Sequence, residues 1–577
     1  MSESALPLCL VAEEPRRAWP GEKGALWAAL LLVGVFALLP SMRLLVEVAI
    51  SLAGPQRASV LATLDSPDTW RATRHSLEVG IGGTALAVLY GATFACLVSL
   101  TPVRARHLLV FGFVVQALLP PQVVALAWLQ MWLPLRGQIA AAGFDAVMSI
   151  GNPLQSRGGI IALLGLHYAP LVFLTLRAGL LNLPPEVLEA ARVSGASPRR
   201  VMLRVILPLL APALSAGAAL AFVSSIGNFG IPAFLGIPAN YLVLPTLIYR
   251  ELSGFGPSAM PAALTLSVLV ALLAILGVWV QRLSVRVGHY RVMAERRLQA
   301  PFDLGRWQGP VAIAAHGLVW LLLLAPMAAL MGKSLSPALG VALSWGNLSL
   351  EHYAYVLIGN DSTLRALLNS VSMSLAAAGV LAAISVVLAY QLEYRRSGWV
   401  RRLLPAVEFP YVIPGVVLAI AMILLYLPPL PLVGGTLFNT LWIIFLAYLA
   451  RFLTIQLRPV MSGFMQMPHE MLEAAEVCGA SFGRRLRRVI VPLILPSVTA
   501  GAMLVFLLAM NELTVSALLW ATGTETLGVV VFSLEQGGES AAASALGVVS
   551  ITATLFAMAV ASWWGRQLPE GVLPWRA

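Results

Sequence analysis

Charge is what this sequence has least of. Asp, Glu, Lys and Arg make up 11% of 577 residues, against about 25% in a soluble domain, which excludes a water-soluble chain. Cysteine is scarce as well: Cys9, Cys96 and Cys478 lie too far apart for a CxxC pair, excluding a disulfide framework or a zinc site. No AxA-like cleavage site follows Arg16-Arg17 and the apolar run from Leu26, so that run reads as a first span and not a leader. A phosphate-binding loop is missing: Gly332-Lys333-Ser334 has Met327 where G-x-x-x-x-G-K-[ST] needs its first Gly. No nucleophile is paired with a base and no carboxylates are paired, so the chain does not read as an enzyme.

What is present is hydrophobic, 59% of residues. Apolar stretches of roughly 20 residues, each long enough for a bilayer core, are expected near 25–50, 77–100, 108–133, 158–181, 205–226 and 260–281. A second set follows near 310–331, 367–391, 403–427, 436–457, 489–510 and 541–564. Lipid leaves backbone groups no outside partner, so all are helices, and the expected fold is an all-α membrane protein of about 12 transmembrane helices. The Pro-broken stretch Ile231 to Pro245 reads as either re-entrant or periplasmic. The net charge of +11 has a topological explanation. With both termini inside, the Arg-rich segments around Arg104, Arg177–Arg204, Arg282–Arg306, Arg395–Arg402 and Arg451–Arg488 all fall on the inner side, as the positive-inside rule requires. Orientation, and not a nucleic-acid partner, accounts for the basic pI.

An internal repeat organises the chain. Pro184 to Pro212 reads PPEVLEAARVSGASPRRVMLRVILPLLAP and Pro468 to Pro496 reads PHEMLEAAEVCGASFGRRLRRVIVPLILP, identical at 17 of 29 positions at a constant offset of 284. Weaker matches precede them, Ser76 with Ser370 and Pro121 with Pro414. Six spans per half give both halves the same orientation. The expected organisation is a first half, 1–281, with its repeated loop at 184–212; a cytoplasmic linker, 282–309; and a second half, 310–577, with its loop at 468–496.

Each loop reads as two short helices. Pro184 and Pro185, or Pro468, open the first, with Glu186 and Glu189 (Glu470 and Glu473) in it, and Gly195 (Gly479) ends it. Ser197-Pro198, or Ser481, starts the second, whose arginines, Arg199, Arg200 and Arg204 or Arg484, Arg485, Arg487 and Arg488, run toward the bilayer. Glu189-Ala190-Ala191, Gly195 and Pro208, and again Glu473-Ala474-Ala475, Gly479 and Pro492, resemble the cytoplasmic EAA loop of permeases in binding-protein-dependent ABC importers. Cys478 in place of Ser194 leaves the pattern intact. The resemblance covers both halves, and a fused chain of this kind looks most like the ferric-iron branch. It implies a type I ABC importer permease fold in two parallel six-span repeats, set in a bacterial inner membrane. It also implies that two copies of a separate ATPase meet the loops, with ATP and Mg bound there and no cofactor in this chain. In that family the Glu meets the ATPase and the small alanines allow close approach. A periplasmic or extracellular solute-binding protein would deliver the cargo. Amphipathic helices meeting anionic lipid need only charge and moment; they do not require Glu, Ala, Ala and Gly to recur position by position.

Polar groups inside a bilayer are functional candidates. Asn511 and Glu512 match Gly227 and Asn228 in the 284 register, and Asn228, Asn511 and Glu512 are candidates for the solute path, the alternative being caps at the outer interface. Arg43 and Glu47 read as an i,i+4 pair. His167, Tyr168 and His316 are isolated and read as polar groups between helices; no cluster has metal spacing. Ferric iron is the expected cargo, with 2-aminoethylphosphonate, thiamine, polyamine or sulfate as alternatives. An ion-driven secondary transporter is the rival class, but the segment between spans two and three, TPVRARH from Thr101, lacks the acidic residue that class would show.

Overall fold

The computed structural model describes residues 20–54, 56–143, 151–254, 256, 258–286, 301–337, 344–429 and 434–564. Most of the Arg-rich linker, Cys9, Arg16-Arg17, Arg566 and Arg576 lie outside them. Among the described residues every regular element is helical. Besides a short helix at Arg57–Asp65, the first half comprises α1 (Gly21–Ala53), α2 (Pro67–Leu100), α3 (Arg106–Leu118), α4 (Pro121–Ala141), α5 (Arg157–Leu181), α6 (Pro185–Val193), α7 (Pro198–Ile226), α8 (Gly230–Leu235), α9 (Leu244–Ser253) and α10 (Ala259–Arg286). In the second are α11 (Gly305–Ser334), α12 (Asp361–Tyr394), α13 (Gly398–Val412), α14 (Gly415–Tyr426), α15 (Leu441–Met465), α16 (His469–Val477), α17 (Phe482–Met510), α18 (Ser516–Leu519), α19 (Leu527–Gln536) and α20 (Ser540–Trp564). Among the described residues ten helices are long and apolar enough to cross a membrane, or up to twelve if each bent pair is one span. Gly332-Lys333-Ser334 is the last turn of α11 and forms no phosphate loop.

The third expected span of each half is not straight. Helices α3 and α4 meet at 103°, and α13 and α14 at 106°. Sequence explains the break: Leu119 and Ile413 each precede a proline, which pushes them out of the helical region, and Pro120 and Pro414 are themselves extended at ψ 131° and 143°. Each bend therefore spans two consecutive extended residues.

Duplication is sharper in the structure than in the letters. Helices α5, α6 and α7 begin and end at positions 284 before those of α15, α16 and α17, down to the π turns at Met202–Ile206 and Leu486–Ile490. Helices α2 and α12 are both 34 residues long and stand in the Ser76–Ser370 register. Carried without a slip, that register pairs Pro120 with Pro414, one residue from the expected partner Pro121.

Close backbone approach sets the packing within each half, as is usual where lipid removes the hydrophobic drive between helices. Gly91 of α2 meets the carbonyl of Ala169 in α5 so tightly that a Cβ has no room, and Gly217 of α7 likewise meets Thr175. Behind these contacts Phe113 stacks on Phe173 at 4.3 Å. The first helix of each half packs on the other half. Tyr426 of α14 donates to the carbonyl of Val35 in α1 at 2.7 Å, while α11 lies against α3 with Val319 filling the space over Gly112, and His316 Nε2 lies 3.1 Å from the carbonyl oxygen of Arg104.

Candidate coupling loops and central polar layer

Both loops are built alike from the backbone up. Helices α6 and α16 end in a Schellman turn: Ala196 donates to the carbonyl of Ala191 and Gly195 to that of Arg192, at 3.1 and 3.0 Å, and Ala480 and Gly479 repeat this on Ala475 and Glu476 at 3.1 and 2.9 Å. Gly195 and Gly479 hold φ of +76° and +72°, a region where a side chain is strained. One apolar residue anchors each helix, Leu188 or Leu472, both buried. Glu186, Glu189 and Ala190 on one loop, and Glu470, Glu473 and Ala474 on the other, are exposed; Ala191 and Ala475 are half-buried, and Gly195 and Gly479 are exposed. Val193 and Val477 project at 89% exposure each. Ser197 and Ser481 occupy the cap positions with extended backbones, but their side chains make no capping bond.

The loops differ beneath their surfaces. Arg485, one of the arginines expected to run toward the bilayer, is buried and bonds to Glu476; its counterpart Val201 is apolar. Glu476 also lies 3.8 Å from Arg395, whose guanidinium grips the carboxylate of Glu22 with two bonds of 2.7 Å. Gln391 donates to the same carboxylate at 3.2 Å. Burial works against the Arg395 cation, yet Glu22 more than offsets this and holds its pKa above the usual range. The start of α1 is thereby clamped to the base of the second loop. At the first loop the corresponding clamp is made by the segment before α11, where Phe302 donates to the carbonyl of Leu100 at 3.1 Å and packs in the apolar cluster containing Val201.

A buried polar layer lies where α7 and α17 end. Asn228 takes the backbone NH of Ile231 at 2.9 Å and donates to the Tyr168 hydroxyl at 2.7 Å. In the same register Glu512 takes the NH of Val515 at 3.0 Å, the NH of Ser516 at 3.1 Å and the Ser516 hydroxyl at 3.2 Å. Asn511 is pinned: Nδ2 donates to Thr554 at 3.0 Å, Oδ1 accepts from Ser550, and its carbonyl accepts from Gln122 of the other half at 2.8 Å. The three path candidates are thus brought to one level, each at most 6% exposed. The stretch Ile231 to Pro245 folds inward, with residues 231–236 and 243–248 all buried.

Arg451 joins this layer, although the charge pattern places it with the inner-face arginines. It stands ten residues into α15, about 15 Å along the helix, with Nε 3.7 Å from Glu512. Its 284-register partner is His167, so the signal for it is a basic residue recurring at mid-span. Arg43 and Glu47 pair at 2.8 Å. Among the described residues no group of three or more His, Cys, Asp or Glu is placed to hold a metal.

Beyond this layer, at the end away from the loops, the inward-folded segments are tied to α2 and α12. Ser76 accepts the NH of Leu244 and Ser370 that of Leu527, both at 2.8 Å. Burial raises the pKa of Glu525, but the NH of Gly523 and Arg365 at 3.2 Å outweigh it and hold the carboxyl below its usual range.

A family model described as "Binding-protein-dependent transport system inner membrane component" matches residues 87–286 and 365–572. The probable ABC transporter permease protein y4fN of Sinorhizobium fredii is 28% identical over 68% of this chain and 72% of its own length. The spermidine/putrescine transport system permease protein PotC of Escherichia coli is 28% identical over 38% of this chain and 80% of its own. A chain from the crystal structure of a bacterial ABC transporter importing the acidic polysaccharide alginate is 18% identical at a TM-score of 0.37, covering 46% of this chain and 97% of that one. With one match of the family model in each half and most of the length covered, the chain belongs to the inner membrane component family of binding-protein-dependent transport systems and is an ABC importer permease made of two fused repeats.

Proposed function

We propose that the two loops are the levers by which a separate ATPase drives this permease. One ATPase copy docks on Glu186, Glu189, Ala190, Ala191 and Gly195, and a second on Glu470, Glu473, Ala474, Ala475 and Gly479. ATP and Mg stay on that partner. Both termini and both loops face the cytoplasm of a bacterial cell, and a solute-binding protein hands over cargo at the opposite face. The observation that carries this reading is the residue-by-residue match of the loops in turn geometry and exposure, which suits two identical partners. The different bases make the second lever the more firmly held.

The test is double replacement, Glu189→Ala with Glu473→Ala. Loss of copurifying ATPase and of ATP-driven uptake is the expected result. Uptake that persists in vesicles without any ATPase subunit would instead support the secondary-transporter class. For cargo, the fused organisation supports ferric iron, and the relatives named for spermidine and putrescine support a polyamine. Ferric iron is a substrate here and not a resident metal, so its hold would lie with the binding protein. Uptake of radiolabelled ferric iron and putrescine by cells with and without the chain separates the two.

A further inference from the structure

The side chain of Arg451 is out of place if the layer serves only to hold the fold. A guanidinium carries five NH donors in a fixed fork, yet among the described residues it has one charged neighbour, Glu512, at an ion-pair distance of 3.7 Å and beyond hydrogen-bond reach. Glu512 is spoken for. The NH of Val515, shared by both oxygens, and the NH and hydroxyl of Ser516 on Oε2 hold it in place, and its side chain is 5% exposed against 27% for Arg451. The carboxylate therefore lowers the cost of placing a cation at this depth without occupying its donors. The guanidinium has a fitted seat: a Cβ on Gly415, the first residue of α14 beyond the bend, would overlap Nη1. Arg451 thus stands beside a helix bend, between the Glu512 carboxylate and the first residue of α14.

We propose that Arg451 is the cargo-reading group of this permease, and that the cargo presents an oxyanion, a carboxylate, phosphonate, phosphate or sulfate, to its free donors. This rests on the permease reading above and narrows its substrate class. Planar oxyanion recognition is what the guanidinium fork does best, whereas a polyamine would meet a like charge at the more exposed Arg451, with the Glu512 carboxylate buried behind it. Ferric iron fits only as a carboxylate chelate.

Chemical protection tests this even while the cargo is unidentified. The purified full chain is treated with phenylglyoxal, an arginine reagent, and modification of Arg451 is read by peptide mass spectrometry. Sulfate, inorganic phosphate, 2-aminoethylphosphonate and citrate are separate arms; putrescine and arabinose are controls. Expected is modification of Arg451, slowed at least threefold by one or more of the oxyanions and by neither control, with exposed Arg204 unprotected throughout. An Arg451 that does not react, one protected by no oxyanion, or one protected equally by putrescine overturns the proposal. Failure of the permease reading is separate and shows as ATPase that copurifies with the loop variants.

Discussion

Glu22 and Arg395 form a two-bond ion pair, 2.7 Å on each limb, between the first helix of one half and the end of α12 in the other, where Arg395 also lies 3.8 Å from Glu476 of the second loop. With side chains 2% and 7% exposed, neither partner is easily left alone. Removing one member of a buried pair costs about 3–5 kcal/mol, because the other charge stays buried. Glu22→Leu should lower the thermal midpoint of the purified chain sharply and weaken coupling of ATP hydrolysis to uptake. The pair replacement Glu22→Leu with Arg395→Met should recover much of that stability. Equal losses in the single and double variants would show that the pair does not hold the loop.

Gly195→Ala and Gly479→Ala ask whether the turn that ends each lever helix matters. Nothing lies within 4 Å of a Cβ added at either position, so the cost is backbone strain alone, about 1–2 kcal/mol per site. The effect should fall on ATPase copurification more than on the thermal midpoint of the whole chain. Asn, which tolerates the left-handed region, should restore part of it. Should Ala and Asn behave identically, the positive φ is not what the loop requires.

Much of this molecule is legible in its letters, and what is not has physical causes. A long apolar stretch looks the same whether its helix runs straight or bends, so the breaks at Pro120 and Pro414 are hidden in hydropathy, although Leu119-Pro120-Pro121 and Ile413-Pro414-Gly415 carry the signal. Leu188 and Leu472 anchor the levers, and the loop glycines sit where a helix stop is expected. The Glu476–Arg485 contact depends on how deep the second loop helix sits, and the Glu22 clamp joins residues hundreds of positions apart, so neither shows in local sequence. Arg451 escapes for a simpler reason: charge counted over a loop and the end of its span does not say how deep a side chain stands.

Ser76→Ala and Ser370→Ala remove matched acceptors. Each hydroxyl oxygen takes a buried backbone NH at 2.8 Å, and both serines are fully buried. Leaving that NH unpaired should cost about 1–3 kcal/mol per site, and the two costs should add, since the sites belong to separate halves. Hydrogen exchange at Leu244 and Leu527 reads each bond directly. Exchange that is unchanged in the variants would mean the serines are spectators.

Acid should loosen the second half's far-end loop through Glu525. Its carboxyl is held below the usual range when folded, so the unfolded chain binds the proton more readily, and the stabilisation exists above the unfolded value of about 4.3. It is lost as pH falls through the lower, folded value, so the window opens below about pH 4.5. The thermal midpoint of the purified chain should drop as pH falls below about 4.5, and Glu525→Gln should start lower at neutral pH and fall less on acidification, because it has no proton to take up. Arg365→Gln, which removes one partner 3.2 Å from the carboxylate, raises the folded value toward the unfolded one and should shrink the drop without moving its onset. If the wild type and Glu525→Gln lose the same stability on acidification, another carboxylate governs the transition.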